Sequence, residues 1–415
     1  MGWAAERARA VLAAMDGAFA GDGIVVAVAA LDPDGPVIVT TPGLPPDARF
    51  EIGSVTKTMT ATLLAVLALE GALALDDPVG RWLDAGQNAD ITLGQLATHT
   101  SGLPREAPNH SADGPNPYRE FTAERAEEGL RAVARKPGHE RAYSSFGYQL
   151  LGLALERAAG RRYQDLLADL LLGPLGMTCS GVGAAGGGTR VTGHAGGRPV
   201  DHWDRALPGA GGVEASVGDL ATYLAAALAP PPGQLGDAIR MCLRPRVRVD
   251  AELAGGLGWM IGRGQGVCSH NGGTGGFSAS TALRPERGRA IGALLNTSFR
   301  SAPLLDGAVL AALADGDAGR LRPAPTGDAP GPEWETRAGQ TAQALLDGRF
   351  ADVHASRRPE GRAVTNTEQL ADLWGSAMRW AGGPARVSAV SCRTVPGGVG
   401  ALVSLDGARR PVSVR

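Results

Sequence analysis

The sequence predicts an α+β protein in which an antiparallel sheet, flanked by helices, is interrupted by a large helical insertion and followed by a small second α+β module. One observation carries the first part. β-like runs lie on both sides of a long helical stretch, at residues 24–39 and again beyond Gly255, so the first and last segments are expected to share one sheet. The second observation is the Pro/Gly-rich run RPAPTGDAPGP, Arg322 to Pro332, which reads as a linker between residues 1–321 and 333–415.

Taken in order, residues 3–20 read as an amphipathic helix leading into IVVAVAALDPDGPVIV. There two β-rich runs flank Asp32-Pro33-Asp34-Gly35, a hairpin signal. The segment Arg49 to Gly53 then runs into SVTKTMTATLLAVLALEGALAL, a helix ending near Gly71. From about 75 to 250 the pattern is mostly helical, broken by loops such as GLPREAPNHSADGPNP and GVGAAGGGTR. The runs GLGWMIG, GVCSHN, FSASTALRP and RAIGALLNTS have the spacing of consecutive antiparallel strands. After the linker come helical patterns around 335–348 and 366–380, then the β-like runs RVSAVSCRTV and GALVSL.

Composition narrows the function. Apolar residues make up 44% and charged residues 20%, the balance of a globular protein with ample core. A formal charge of -2 gives no basic surplus for nucleic acid, and no dense Lys/Arg run suggests a membrane surface. The amino-terminal MGWAAERARAVLAAMDGAFAG is interrupted by Glu6, Arg7, Arg9 and Asp16, unlike a signal peptide. No later stretch reaches about 18 uncharged apolar residues. A cytoplasmic protein with no membrane span is therefore expected. Cys179, Cys242, Cys268 and Cys392 stand far apart with no CxxC pair, and only Cys268 has a close histidine, His270. They read as buried or incidental thiols, and no pattern of clustered His, Asp or Glu supports a metal hydrolase. Arginine outnumbers lysine 38 to 2, the lysines being Lys57 and Lys136. Arginine cannot release its proton near neutral pH and a desolvated lysine can, so a surviving lysine three residues after a serine is suggestive.

Three clusters could carry chemistry. Gly53-Ser54-Val55-Thr56-Lys57 stands where a strand hands over to an apolar helix. Residues three apart share a helix face, so the Ser54 hydroxyl and the Lys57 amine can meet. A helix N-terminus adds partial positive charge and outward N–H groups, and a buried lysine of lowered pKa can take the hydroxyl proton. A capped helix start with a chance lysine gives the same letters. Tyr143-Ser144-Ser145-Phe146-Gly147-Tyr148, preceded by Lys136-Pro137-Gly138-His139, offers a tyrosine that nearby cations can turn into a proton relay. An aromatic pair in a loop-to-helix core reads the same. His270-Asn271-Gly272-Gly273-Thr274-Gly275-Gly276-Phe277 contains two Gly-Gly pairs, costly in a plain strand but useful where backbone must approach a ligand or an N–H must face an oxyanion. A glycine-rich hairpin with a surface histidine is the bland alternative.

Together, SVTK, YSSFGY and HNGGTGGF stand in the order and at the separations of the class C β-lactamase superfamily, which also holds DD-peptidases, family VIII esterases and biosynthetic acyltransferases. LGQLATHTSGLP (93–104), PLGM (174–177), GAGGVEASVGDLATYL (209–224) and GGLGWMIG also resemble that family's segments, so the resemblance covers about residues 5–315. It implies a β-lactamase-like fold with Ser54 as acylated nucleophile, Lys57 as its proton partner and Tyr143 as general acid/base. His270 would stand where the lactamase KTG motif has lysine. The oxyanion hole would be the N–H groups of Ser54 and Gly273, with Ser145, Gly272 and Asn271 near the substrate and His99 structural. No metal or organic cofactor is implied. The partners would be a small-molecule acyl donor and water, an amine or an alcohol as acceptor.

Ser145 stands where the family's Tyr-x-Asn has asparagine, and it offers one hydroxyl in place of a primary amide. With histidine at 270, this points away from lactams and peptidoglycan and toward an intracellular esterase or transacylase. A β-lactamase/DD-peptidase-type amide hydrolase and a ligand-binding pseudoenzyme stay as alternatives. The tail at 333–415 resembles small modules, NTF2-like in outline, and reads as a binding, lid or dimerisation element or as a stabilising appendage.

Overall fold

The Asp32–Gly35 signal forms the turn it predicts. Asp34 N–H donates to Asp32 Oδ1 at 2.9 Å, and Gly35 takes φ +119, a conformation that a Cβ would strain. The turn joins β1 (Val26–Asp32) to β2 (Gly35–Thr40). The strands that follow are β3 (Arg49–Glu51), β4 (Gly181–Val182), β5 (Gly193–Ala195), β6 (Arg198–Val200), β7 (Val213–Ser216), β8 (Val247–Arg248), β9 (Leu253–Gly255), β10 (Met260–Gly262), β11 (Cys268–Gly273), β12 (Ser278–Arg284) and β13 (Arg289–Leu295). The main helices are α1 (Trp3–Phe19), α2 (Thr56–Leu69), α3 (Leu93–Thr98), α4 (Ala123–Ala132), α5 (Ser145–Ala159), α6 (Tyr163–Leu167), α7 (Gly173–Leu175), α8 (Val217–Leu228), α9 (Gln234–Cys242) and α10 (Ala302–Leu313).

In the computed structural model the chain divides into two compact units, Met1–Ala318 and Gly319–Arg415. The described residues are 2–19, 23–111, 115–135, 141–195, 197–264, 266–298, 301–314, 332–356, 386–395, 398–406 and 412–414.

The first unit is built on an eight-stranded antiparallel sheet of order β2-β1-β13-β12-β11-β10-β9-β8. Val26 pairs with Leu295 and Leu31 with Ala290, so the first and last segments do share one sheet. β1, β12 and β13 are buried almost throughout and, away from their ends, carry small or apolar residues rather than an alternating pattern, as suits strands covered on both faces. α1 and α10 pack on one face, and α8 packs on the other. There Leu220 and Leu224 lie so close to Gly292 that a Cβ would sit 2.8 Å from Leu224 Cδ1. β2 is one of the two edge strands, half exposed and carrying Pro36.

The helical insertion is organised around α2, which is buried on all sides from Thr56 to Leu67 and packs against α5 and α9. Its threonines return their hydroxyls to main chain. Thr58 donates to Val55 O at 2.8 Å, Thr60 to Gly209 O at 2.6 Å and Thr62 to Thr58 O at 2.9 Å. The insertion is less purely helical than its sequence suggests. Residues 213–216, inside the stretch expected to be mostly helical, form β7, which joins β3 and β4 in a second sheet, and β5 pairs with β6. Such short strands have no measurable period, and their partners are distant in sequence.

The second unit is α+β. It contains α11 (Pro332–Leu346), α12 (Phe350–Ser356) and an antiparallel sheet of β14 (Arg386–Val395), β15 (Gly398–Asp406) and β16 (Val412–Val414) in that order. α11 packs on β14. The expected helix at 366–380 and all of the expected linker but Pro332 lie outside the described residues.

Candidate active site

β3 delivers the chain into a single 3-10 turn, Gly53–Val55, which continues as α2. From Ala48 to Leu67 every residue is buried except Ser54. One hydroxyl is thus open in an otherwise closed run. Gly53 has φ +50, and a Cβ there would lie 2.4 Å from Gly273 N. A Cβ at Gly272 would lie 2.0 Å from Ile52 O and 2.8 Å from Ser54 N. The Gly-Gly pair of β11 therefore lets two main chains touch beside Ser54, bringing the amide nitrogens of Ser54 and Gly273 to one place.

Lys57 is completely buried, with Nζ 2.9 Å from Ser54 Oγ and 2.7 Å from Ala210 O. Burial drives its pKa below the usual lysine range, only partly opposed by Tyr143 and aided by the Arg205 charge. The carbonyl it meets comes from a short turn at Pro208–Ala210. That turn packs against α5 because neither Gly209 nor Gly152 has a side chain; a Cβ at Gly209 would lie 2.8 Å from Tyr148 O.

Tyr143 is buried just before α5, with Lys57 Nζ 5.0 Å from its ring centroid and the Arg105 guanidinium at the same distance. Burial alone would raise the phenol's pKa. The charges of Lys57 and Arg105, with hydrogen bonds to Lys57 and Ser54, outweigh it and hold the phenol below its ordinary value. Lys57 and Tyr143, both with pKa values below their ordinary ranges, thus stand as an electrostatically coupled pair next to a serine hydroxyl.

His270 lies on β11, its ring 6.3 Å from that of Tyr143. Its Nδ1 is 2.6 Å from Asn271 O; since a carbonyl only accepts, Nδ1 carries the proton and Nε2 is the acceptor. Burial first, then Lys57, push its pKa down to about 3, so the imidazole is neutral.

The structure brings Ser54, Lys57, Tyr143, His270, Gly272 and Gly273 together, and Ser145 opens α5 with its N–H on Arg105 O at 2.9 Å. Asn271 needs correcting as a substrate-side group. Alternation along β11 turns its side chain to the other face, where Nδ2 donates to Asp306 Oδ2 at 3.1 Å, and only its carbonyl serves the site. Lys136 to His139 lie outside the described residues.

Sequence reasoning missed Arg105, Ser144, the Ala210 carbonyl and a buried charge cluster. In that cluster, ligand atoms of Glu51, His202 and Glu214 lie within 4.8 Å of one another, although no sequence spacing hinted at it. Glu214 is already engaged by Arg49 at 3.4 Å and by Arg190 Nε at 3.0 and 3.1 Å. Two guanidinium groups on one carboxylate suit an ion-pair network and repel a cation.

A serine at the start of a buried helix, with lysine and tyrosine beside it between an antiparallel sheet and a helical insertion, defines a serine hydrolase of β-lactamase fold. The chain belongs to the beta-lactamase family, whose model matches residues 11–315. It is 30% identical over 268 residues to the D-alanyl-D-alanine-carboxypeptidase/endopeptidase AmpH of Escherichia coli (strain K12), an alignment covering 58% of this chain and 69% of that protein. It is also 34% identical over 139 residues to Protein flp of Staphylococcus aureus (strain N315), covering 32% of this chain and 28% of that protein. Among the described residues, no helix is long and apolar enough to cross a membrane.

Proposed function

We propose that this protein forms an acyl-enzyme on Ser54 and passes the acyl group to water, or to an amine or alcohol, as an intracellular esterase or transacylase. The observation that carries the reading is the fully buried Lys57 amine 2.9 Å from Ser54 Oγ. Ser54 Oγ attacks the substrate carbonyl while its proton passes to the Lys57–Tyr143 pair. The N–H groups of Ser54 and Gly273 receive the oxyanion. Collapse of the tetrahedral intermediate breaks the bond to the leaving group, which takes its proton from Tyr143. The acceptor then attacks the acyl-enzyme, gives its proton to Tyr143, and Ser54 is released with its proton restored.

Ester-type substrates are favoured over lactams because His270 is neutral, whereas the family's lysine would bring a positive charge. A second reading, hydrolysis of a D-alanyl-D-alanine-type amide, is favoured by the name of the Escherichia coli relative. Intact-mass spectrometry after mixing with p-nitrophenyl acetate or butyrate, followed by an amine chase, tests both. A Ser54 adduct discharged faster by amines than by water supports a transacylase; discharge by water alone supports an esterase. Turnover of a D-alanyl-D-alanine peptide without ester turnover moves the assignment to the second reading. No adduct with any of these substrates overturns the acyl-enzyme.

A further inference from the structure

We propose that His99 is a positioning residue for Tyr143, anchoring the peptide groups on both sides of it so that the phenol stays over Lys57 and Ser54. The proposal rests on the reading of Tyr143 as general acid/base.

His99 ends α3 at φ 60 and ψ 34, and among the described residues no other non-glycine has a positive φ. Glycine or asparagine is the usual occupant of such a cap. A histidine here is explained by what it binds. Its carbonyl accepts the Ala142 N–H at 2.8 Å, and its Nδ1 accepts the Ser144 N–H at 3.1 Å. One residue thus takes the amide before Tyr143's own and the amide after it. The imidazole also lies against the phenol, with ring centroids 4.5 Å apart, and against Tyr148 at 5.0 Å.

Tyr143 itself sits in neither strand nor helix, so no ladder fixes its main chain. The fixing comes from the segment around His99. Ser144 Oγ donates to Pro104 O at 2.6 Å, Ser145 and Phe146 N–H donate to Arg105 O at 2.9 and 3.0 Å, and Tyr148 OH donates to Ala97 O at 2.7 Å. His99 supplies the two bonds nearest the phenol. His99 is 2% exposed, so losing the acceptor would leave the Ser144 N–H buried and unsatisfied. The acceptor role needs a neutral ring. Burial, with the charges of Arg141 and Lys57, keeps it so by holding the imidazole well below the ordinary histidine range.

Three variants separate the backbone role from the acceptor role. His99→Gly keeps the left-handed turn and loses the ring. His99→Asn tolerates the same turn and keeps a side-chain oxygen for the Ser144 N–H. His99→Ala loses both. With p-nitrophenyl butyrate, His99→Gly is expected to lower kcat by about two orders of magnitude with KM within about threefold. It should also move the acid limb of the pH–rate profile, while His99→Asn recovers most of the lost rate. In a Tyr143→Phe background, His99→Gly should cost less than about twofold more, because its effect runs through the phenol. Losses that multiply fully in the double variant, or a folded His99→Gly enzyme with wild-type kcat and profile, overturn the proposal. Wild-type rates in Tyr143→Phe itself overturn the catalytic reading beneath it. Should His99→Gly or His99→Ala fail to fold, the same cycle is run with His99→Asn. A residual kcat loss in that variant must then vanish in the Tyr143→Phe background, and its persistence overturns the proposal.

Discussion

A Cβ on Gly53 would lie 2.4 Å from the main-chain nitrogen of Gly273, closer than any side-chain carbon can approach. The strand carrying His270 and the turn carrying Ser54 are thus in backbone contact, and the amide proposed to hold the oxyanion is itself part of that contact. Gly53→Ala must push β11 away and also strain a φ of +50. Acylation by p-nitrophenyl acetate is expected to fall by about two orders of magnitude or more. Stopped-flow nitrophenol release reads this directly; an unchanged burst would place the oxyanion elsewhere.

Ser54→Ala should abolish the acyl adduct, and Lys57→Ala or Tyr143→Phe should each cut turnover by about two or more orders of magnitude. Because Lys57 and Tyr143 are proposed to relay the same proton, the losses should be far from multiplicative in the double variant. Steady-state kinetics of the two single variants and the double variant check this, and wild-type rates in all of the single variants would remove the assignment.

How far the sequence reached depends on what kind of contact was involved. Ser54 and Lys57 were legible because helical spacing puts them on one face, and the Asp32–Gly35 hairpin because its turn chemistry is local. The His99 contacts were not legible. They join a ring nitrogen and a carbonyl to main-chain amides about forty residues away, as in Ser144 N–H to His99 Nδ1 at 3.1 Å, and no side-chain pattern records such bonds. The same holds for Ala210 O on Lys57 and for the meeting of Glu51 with Glu214 across β3 and β7. Asn271 is different. Strand alternation places it opposite in sense to His270, so the signal was present in the sequence and was outweighed by the glycine-rich motif.

The depressed pKa of His270 also makes a prediction about stability. The folded protein refuses the proton until about pH 3, whereas the unfolded chain accepts it near 6.5. Stability from this group is complete above pH 6.5 and is lost as pH falls toward 3, at about 1.4 kcal/mol per pH unit. Urea melts of wild type and His270→Gln between pH 7 and about pH 4 should diverge by that slope, with wild type losing more. Parallel lines would mean that His270 titrates normally in the folded state. The pH–rate profile should accordingly show no limb from His270, and its acid limb should belong to the Lys57–Tyr143 pair.

The Glu51–His202–Glu214 cluster makes a prediction about both stability and metal. Arg49 and Glu214 have side chains only 2% and 3% exposed, so removing the carboxylate leaves a guanidinium buried without its counter-charge. Glu214→Ala should cost about 3–5 kcal/mol in urea unfolding. β3 pairs with β7 through Glu51 and Glu214 three residues before the nucleophile, so acylation should slow as well. An ion-pair network and a cation site respond oppositely to added metal. With Arg49 and Arg190 on Glu214, Zn²⁺ should leave the melting temperature unchanged, whereas a cation site would raise it in proportion to the logarithm of metal concentration. A rising melting temperature that Glu214→Ala abolishes would reassign the cluster to a metal.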